Sequence, residues 1–310
     1  MTVTVTGGIT FNGGLTFAPV VPPSGNKAIF GFGGDGTYLS ITNLVSNTGV
    51  VATDTAGVGT GRNYLAAAGY GTDKAIFGYG QTALNVRTAI TNLVSNTGVV
   101  ANDTAGVGTA RTQVAGVGYG TDKAIFGYGT TASVTSITNL VSNTGVVATD
   151  TAGVGTARSG PAAAIYGSSG QAIFGYGRTG GYVSTTNLVS NTGVVATNTT
   201  GVGTARSLLA AAGYGTDKAI FGYGSTASGG TSWSLTNLVS NTGVVATDTT
   251  GVGTARNQLA AAGYGIGTAI FGFGSPGGGV TNLVSNTGVV ATDTAAVGTD
   301  RYGLAAAAYG

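Results

Sequence analysis

Three observations predict an all-β fold. In this fold, six copies of one four-stranded unit close into a ring. The sequence repeats with spacings of 47 to 50 residues, each repeat contains only short β-type segments, and the strand missing from the first repeat stands alone at the C-terminus. A repeat of this length is typical of one four-stranded blade of a β-propeller. We therefore expect a six-bladed β-propeller.

The repeat is defined by three elements that each occur six times. The first is an Ala-Ile-Phe-Gly-aromatic-Gly motif, the second is Thr-Asn-Leu-Val-Ser-Asn-Thr-Gly-Val-Val, and the third is an Arg followed by a run of mostly small residues. The first motif begins at Ala28, Ala75, Ala124, Ala172, Ala219 and Ala269.

Each repeat divides into four strand-length segments that are bounded by turns containing Gly and Asn. In the second repeat, the predicted strands span residues 65–69, 74–79, 89–95 and 98–102. Small residues in the first strand suit the crowded centre of the ring, whereas Ile76, Phe77 and Tyr79 would fill the wider gap between neighbouring blades. No helical pattern competes with this interpretation, because Gly and Thr interrupt every segment.

The two ends of the chain predict that the ring closes. The first repeat begins at its second strand, with residues 27–32, and residues 301–310 supply a copy of the first strand on their own. We expect this C-terminal strand to join the first blade as its innermost strand, which leaves no open edge for association. The predicted domains are an N-terminal arm with a Pro-containing linker, residues 1–26, and the propeller, residues 27–310.

The composition excludes several classes of function. Only 7% of the 310 residues are charged, the net charge is +2 and no cluster of Lys and Arg is present, so we expect no nucleic-acid partner. Cysteine is absent, which removes disulfides and thiolate ligands. We also expect no signal peptide, no transmembrane segment and no membrane insertion, because the sequence lacks both a typical leader and an apolar run of about 18 residues.

Residue types that support catalysis and metal binding are scarce. The chain has no His, Cys or Glu, and eight of its ten Asp residues recur at framework positions, which indicates a structural role. One copy of the framework Asp is replaced by Asn198, a change that a catalytic ring would hardly tolerate. Asp35 and Asp300 occur once each. We therefore expect no enzyme, no catalytic residue, no metal site and no cofactor.

A ring of arginines is expected near the mouth of the central channel. One Arg precedes the first strand of each blade, and we interpret the six as a structural ring in which each Arg pairs with a nearby Asp or with backbone carbonyls. Binding of an anion by the ring is the alternative. The arginines are Arg62, Arg111, Arg158, Arg206, Arg256 and Arg301.

Variation among the six copies is confined to the loop between strands two and three and to the pair of residues after each Arg. Because strands in a blade alternate in direction, both segments emerge on one face, here called the variable face. Function is often carried by loops on a rigid scaffold, and aromatic and Arg side chains are good contact anchors; neutral drift is the alternative. The candidate ligand-binding residues on this face are Tyr38, Tyr64, Arg87, Arg178, Tyr182, Trp233 and Tyr302.

The order of these elements resembles the kelch repeat. Kelch units typically have a Gly pair after an apolar strand, which residues 78–80 match with one residue inserted. They also have an outer aromatic residue and a Trp, near whose places Leu93 and Val99 stand. The resemblance covers residues 27–310. It implies a propeller but no particular activity, since kelch propellers include enzymes, scaffolds and adaptors.

The N-terminal segment resembles part of a different kind of protein. Residues 1–20 alternate Thr and Val and then continue with Gly-rich hydrophobic triplets, and they look like the N-terminal segments of some tailed-bacteriophage virion proteins. The near-identical repeats are also similar to kelch-like proteins of marine and cyanobacterial phages. The resemblance implies a location in the virion, with residues 1–26 contacting other virion proteins by strand addition. A segment that folds back on the propeller rim is the alternative.

Together these features favour a phage virion accessory protein, of the fibre or decoration type, whose variable face binds a host-surface ligand, either a glycan or a protein. We expect a glycan, because aromatic rings suit the faces of sugars and need no catalytic group. A purely structural decoration or assembly protein is the second hypothesis. An intracellular kelch-type scaffold for protein interactions is the third.

Overall fold

The computed structural model describes residues 26–226, 231–295 and 297–310. Within these residues the fold is all-β and contains no helix, so none of the described segments is a helix long and apolar enough to cross a membrane. The predicted N-terminal arm, except for Asn26, lies outside the described residues.

Short strands recur along the chain at the spacing of the repeats. The strands are β1 (Lys27–Gly34), β2 (Tyr38–Val45), β3 (Ala66–Tyr70), β4 (Lys74–Gly78), β5 (Gln81–Ala83), β6 (Val86–Arg87), β7 (Thr91–Val94), β8 (Ala115–Tyr119), β9 (Lys123–Gly127), β10 (Thr138–Val141), β11 (Ala162–Tyr166), β12 (Gln171–Arg178), β13 (Tyr182–Val189), β14 (Ala210–Tyr214), β15 (Lys218–Gly222), β16 (Thr236–Val239), β17 (Ala260–Tyr264), β18 (Thr268–Gly272), β19 (Thr281–Val284) and β20 (Ala305–Tyr309).

In the described residues these strands form six antiparallel sheets of three strands and one small hairpin, β5–β6. In each large sheet the motif with Ile and Phe is the middle strand. The sheets have the orders β20-β1-β2, β3-β4-β7, β8-β9-β10, β11-β12-β13, β14-β15-β16 and β17-β18-β19. The pairing of the last strand with the first, which the ends of the sequence predicted, is observed: β20 is antiparallel to β1, with Ala308 opposite Ala28.

The fourth predicted segment of each repeat is not a continuous strand, so the expectation of four-stranded blades needs correction. In the first repeat this segment makes only two isolated bridges, Val45 to Val51 and Thr42 to Thr55, and the same pair of bridges recurs in every repeat. Between the bridges, the side-chain amide Nδ2 of Asn43 donates to the carbonyl of Ala52 at 2.9 Å. The side chain thus takes the place of a backbone donor and interrupts the ladder.

The middle strands carry the core that lies between neighbouring sheets. Ile76 and Phe77 are fully buried, and the Phe77 ring packs edge-to-face against Phe32 of the preceding repeat, with the centroids 5.1 Å apart. The Phe77 ring also covers Gly31, where a Cβ atom would lie only 2.6 Å from Phe77 Cζ. The Phe of each repeat covers a Gly of a neighbouring sheet in this way. The large ring fits there because the Gly has no side chain.

The first strands of the six sheets surround a common narrow space. They contact one another in the order β20, β3, β8, β11, β14, β17, and β17 also contacts β20. Small cavities of about 110 and 80 Å³ between them are lined by residues from all six strands. Ala and Gly dominate there because larger side chains would overlap at the centre. This arrangement is consistent with a β-propeller-like fold.

We expect Gly31→Ala to lower the free energy of unfolding by about 1–3 kcal/mol, because the added methyl group overlaps the Phe77 ring in a fully packed interface. The φ angle of Gly31 is not in the left-handed region, so the loss of stability would reflect steric overlap rather than backbone strain. Urea denaturation followed by circular dichroism measures the change.

Gly180→Ala is the matched control, because nothing lies within 4 Å of a Cβ atom built at Gly180. Phe77→Leu added to the Gly31→Ala chain should recover part of the loss by making room for the methyl group. Equal effects of the two Gly substitutions would show that the Phe–Gly contact does not limit packing.

Candidate ligand-binding site

The six framework arginines are buried inside the protein, each at most 1% exposed. Arg206 shows the full set of contacts: Nε donates to the carbonyl of Tyr223 at 2.7 Å, Nη1 to that of Thr204 at 3.0 Å, and Nη2 to Asn237 Oδ1 at 2.6 Å. The carboxylate of Asp248 lies 3.7 Å from Nη1. These guanidinium groups contact the surrounding protein and are not displayed at a channel mouth, so their geometry gives no support to an anion-binding ring.

Each of these arginines also stacks on an aromatic ring of the preceding repeat. The guanidinium carbon of Arg206 lies 4.6 Å from the centroid of Tyr176, and the six distances of this kind range from 4.0 to 4.6 Å. Burial lowers the pKa of Arg62 and of Arg301 to about 10, with a neighbouring Asp opposing the effect. The side chains therefore remain cationic at neutral pH and attract the faces of the rings.

The fourth repeat departs from this pattern, because Asn198 stands where the other repeats have Asp. Among the described residues, Arg158 is the one framework arginine with no carboxylate within 4 Å. Its Nη2 and the Oδ1 atom of Asn187 are buried without hydrogen-bond partners in the described part of the chain. Asn198 still accepts from Thr156 N and from Asn187 Nδ2, so the turn keeps its shape while the charge pair is lost.

A cycle of backbone hydrogen bonds encircles the central space on the variable face. It runs through the second residue after each framework Arg, and each N–H donates to the carbonyl of its counterpart in the preceding repeat over 2.6 to 3.0 Å. All six residues have positive φ angles between 51° and 62°. The members of this mouth ring are Tyr64, Gln113, Gly160, Leu208, Gln258 and Gly303.

A polar depression of about 460 Å³ lies above the mouth ring. The Tyr64 hydroxyl donates to Gln258 Oε1 at 2.7 Å and so spans the floor. Arg178 and Tyr182 face each other across the β12–β13 hairpin, with the guanidinium carbon 5.6 Å from the ring centroid. The remaining lining residues are mainly small and polar: Gln113, Ser159, Ser207, Leu208, Ser225, Ser232, Asn257, Ser275 and Pro276.

The structure brings together three of the seven predicted binding residues, since Tyr64, Arg178 and Tyr182 all line the depression. Tyr38 and Tyr302 lie outside it but close enough to Tyr64 to contribute, after burial, to raising the pKa of the Tyr64 hydroxyl. The other two predicted residues occupy separate loops.

Arg87 belongs to the small hairpin β5–β6 and does not line the depression. Trp233 is half-buried, and its indole Nε1 donates to Thr226 Oγ1 at 3.0 Å, which holds the ring within its own loop. The serines of the depression were missed by the choice of aromatic and Arg anchors. A signal existed for Ser159, Ser207 and Asn257, because they stand in the variable pair after Arg.

The two Asp residues that occur once each hold loops on the same face. Asp35 Oδ1 accepts from both N and Oγ1 of Thr37, and these bonds lower its pKa. Asp300 Oδ1 accepts from Gly279 N at 2.8 Å. Over the described ranges, no three side chains of His, Cys, Asp or Glu type lie together in a group that could hold a metal ion.

Comparison of the chain with protein-family models gives no match, and comparison with curated proteins gives none either. Inference about function therefore starts from the chemistry of the depression and its surroundings.

We expect Asn198→Asp to raise the free energy of unfolding by about 1 kcal/mol at pH 7, because it restores a carboxylate beside the buried Arg158. In the neighbouring repeat burial opposes ionisation of Asp150, but hydrogen bonds from Thr109 and Asn139 outweigh it and lower its pKa. A carboxyl group with a lowered folded-state pKa stabilises fully above its unfolded-state pKa of about 4, and this stabilisation is lost as pH falls through the folded-state value.

The difference between Asn198→Asp and the native chain should therefore be present at pH 7 and disappear in acid, as measured by thermal unfolding across pH 2.5 to 7. Asp150→Asn is the matched control and should lose a similar amount with the same pH dependence. A gain that persists unchanged at the lowest pH would mean that the charge pair is not its source.

Proposed function

We propose that this chain is a non-catalytic binding protein, built as a closed six-bladed β-propeller, whose variable face binds a host-surface glycan. The observation that carries this proposal is the polar depression above the mouth ring. It gathers Tyr182, Arg178 and a group of hydroxyl and amide side chains at the centre of the face where the six repeats differ.

Support for a closed propeller comes from three sets of backbone hydrogen bonds between successive repeats. One is the mouth ring. In the second set, Gly33 N donates to the carbonyl of Arg62. Equivalent bonds recur along the chain, and the last of them runs from Gly274 N to the carbonyl of Arg301. A third, on the opposite face, begins with Gly71 N to the carbonyl of Asp122. In the first two sets the bonds that complete the ring involve the C-terminal segment, whose strand β20 pairs with β1, and in the third set Gly265 N of the sixth repeat donates to the carbonyl of Asn26.

Support for a glycan comes from the chemistry and size of the depression. Ser and Asn side chains offer donors and acceptors that match sugar hydroxyl groups, and the Tyr182 ring offers a flat apolar surface. A volume of about 460 Å³ falls in the range of small-ligand sites, roughly 300–1,000 Å³. The carboxylates of Asp35 and Asp300 are engaged in holding loops, which favours binding over acid–base catalysis.

The proposed setting is the virion of a tailed phage, where residues 1–26 would attach the propeller to other virion proteins. This part of the proposal rests on the sequence of residues 1–20, which lie outside the described part of the chain.

A structural decoration protein is the second candidate, and a ring of exposed valines favours it. Near the start of the fourth segment of each repeat, one Val is 65–66% exposed, which is unusual for a repeated apolar residue and suits contact with another protein. The valines are Val50, Val99, Val146, Val194, Val244 and Val289.

If the ring is closed, the last framework arginine should contribute as much to the stability of the fold as an internal one. Arg301 bonds to Asn43 and to the carbonyl of Phe32 in the first repeat while it stacks on Phe273 of the sixth. We expect Arg301→Met to lower the free energy of unfolding by about 3–5 kcal/mol, because it leaves buried polar partners without their cation.

Arg206→Met is the matched internal control, and both variants are measured by urea denaturation. Similar losses support closure, whereas a loss below about 1 kcal/mol for Arg301→Met beside a large loss for Arg206→Met would indicate an open array of sheets.

For the binding role, we expect the purified full chain to bind a subset of sugars on a glycan array and Tyr182→Ala to weaken that binding at least ten-fold. Loss of the aromatic surface removes the stacking contact. Tyr38→Ala is the matched control on the same face but outside the depression, and it should bind as the native chain does.

Equal weakening by both substitutions would place the site elsewhere on the variable face. If the native chain binds no sugar at high protein concentration, the decoration role with its valine contacts becomes the better account.

A further inference from the structure

The depression is built unevenly, although the repeats that surround it are nearly identical. Its walls come from repeats four, five and six, where isolated bridges pair Ser159 with Arg178, Ser207 with Ser225, and Asn257 with Ser275. Repeats two and three contribute only Tyr64 and Gln113 of the mouth ring. A ligand in the depression would therefore lie off the central axis, against the wall of repeats four to six.

The only charge on the described lining of the depression is positive. Of the described residues that line the depression, Arg178 is the one with a charged side chain, and within the described structure no carboxylate lies within 4 Å of its guanidinium group. Arg178 is also exposed, unlike the six framework arginines. An exposed guanidinium group in a polar recess is suited to a carboxylate or sulfate, which it can bind through two parallel hydrogen bonds.

The backbone around Arg178 is fixed on both sides. Arg178 N donates to the carbonyl of Ser159, and Ser159 N donates back to the carbonyl of Arg178, both at 2.9 Å. On its other side Arg178 pairs with Tyr182 in the β12–β13 ladder. The backbone that carries both the cation and the neighbouring aromatic ring is thus fixed, which reduces the backbone part of the ordering cost of binding.

The opposite wall is suited to hydroxyl groups. Ser207 and Ser225 are buried at the base of their loop, and Asn257 Nδ2 donates to Ser232 Oγ at 2.8 Å, so the amide is already oriented. The hydrogen bond between Tyr64 and Gln258 crosses the floor of the depression. This geometry fits the terminal unit of a chain that approaches from above.

We propose, on the premise that the variable face is a glycan-binding surface, that the depression selects anionic oligosaccharides. The acidic group of a terminal sugar binds Arg178, the sugar ring lies against Tyr182, and its hydroxyl groups bond to the Ser and Asn side chains of repeats five and six.

The test compares the full chain with matched oligosaccharides by isothermal titration calorimetry. One oligosaccharide ends in a uronic acid, the second is its carboxyl-reduced neutral counterpart, and the third carries a sulfate at the terminal unit. We expect at least one acidic ligand to bind ten-fold or more tightly than the neutral one, with an affinity that falls as salt rises.

Arg178→Gln should abolish this preference, so that acidic and neutral ligands bind alike. Arg87→Gln is the matched control: it removes an Arg from the variable face outside the depression, and the preference should remain. Circular dichroism and the unfolding midpoint confirm that both variants are folded.

The outcomes separate the two proposals. Equal binding of acidic and neutral oligosaccharides by the native chain overturns the anionic selectivity and leaves the glycan-binding role standing. A preference that survives Arg178→Gln overturns the assignment of Arg178. Absence of binding to every oligosaccharide overturns the glycan-binding role, and the anionic selectivity falls with it.

Discussion

Packing between successive sheets depends on the buried arginine that each repeat inserts against an aromatic ring of the repeat before it. A cation buried away from water needs polar and charged partners, because an unpaired buried charge costs several kcal/mol. Arg206 meets this requirement only when Asn237, Tyr223 and Tyr176 stand in their observed positions. A slip of one sheet against its neighbour would break these contacts together. The near-identity of the framework residues in all six repeats follows from this constraint.

The repeat and its strands could be predicted from sequence because they depend on local patterns. Six copies of one motif, small residues in the first strand and large ones in the second indicated an all-β fold, and the incomplete first repeat indicated that β20 pairs with β1. The outermost segment was predicted as a strand because it has the length of a strand and is bounded by turns that contain Gly and Asn. Its ladder is interrupted by the side chain of Asn43, and a bond from a side chain to the backbone leaves no trace in a hydrophobic pattern.

The candidate site was only partly visible in the sequence. Variation among the repeats pointed to the face that carries the depression and led to Tyr64, Arg178 and Tyr182, which line it. It could not separate them from Trp233, because whether an aromatic residue lines a recess or packs within its own loop depends on loop conformation. The serines of the depression were overlooked since a single Ser carries little information. These serines line the depression together only because bridges such as Ser207 to Ser225 bring separate parts of one repeat side by side.

The hydrogen bonds of the mouth ring do not depend on which side chain each residue carries. Neighbouring repeats recognise each other there through N–H and carbonyl groups alone, so Tyr, Gln, Leu and Gly all occupy equivalent positions with nearly the same φ angle. A left-handed backbone is uncommon for any residue other than Gly, and it disfavours β-branched residues most strongly. The side chains at these six positions can therefore change without altering the backbone ring, although Tyr64 and Gln258 are joined by a hydrogen bond. Single substitutions at these positions can thus change the chemistry of the mouth without altering the backbone hydrogen bonds that join the repeats there.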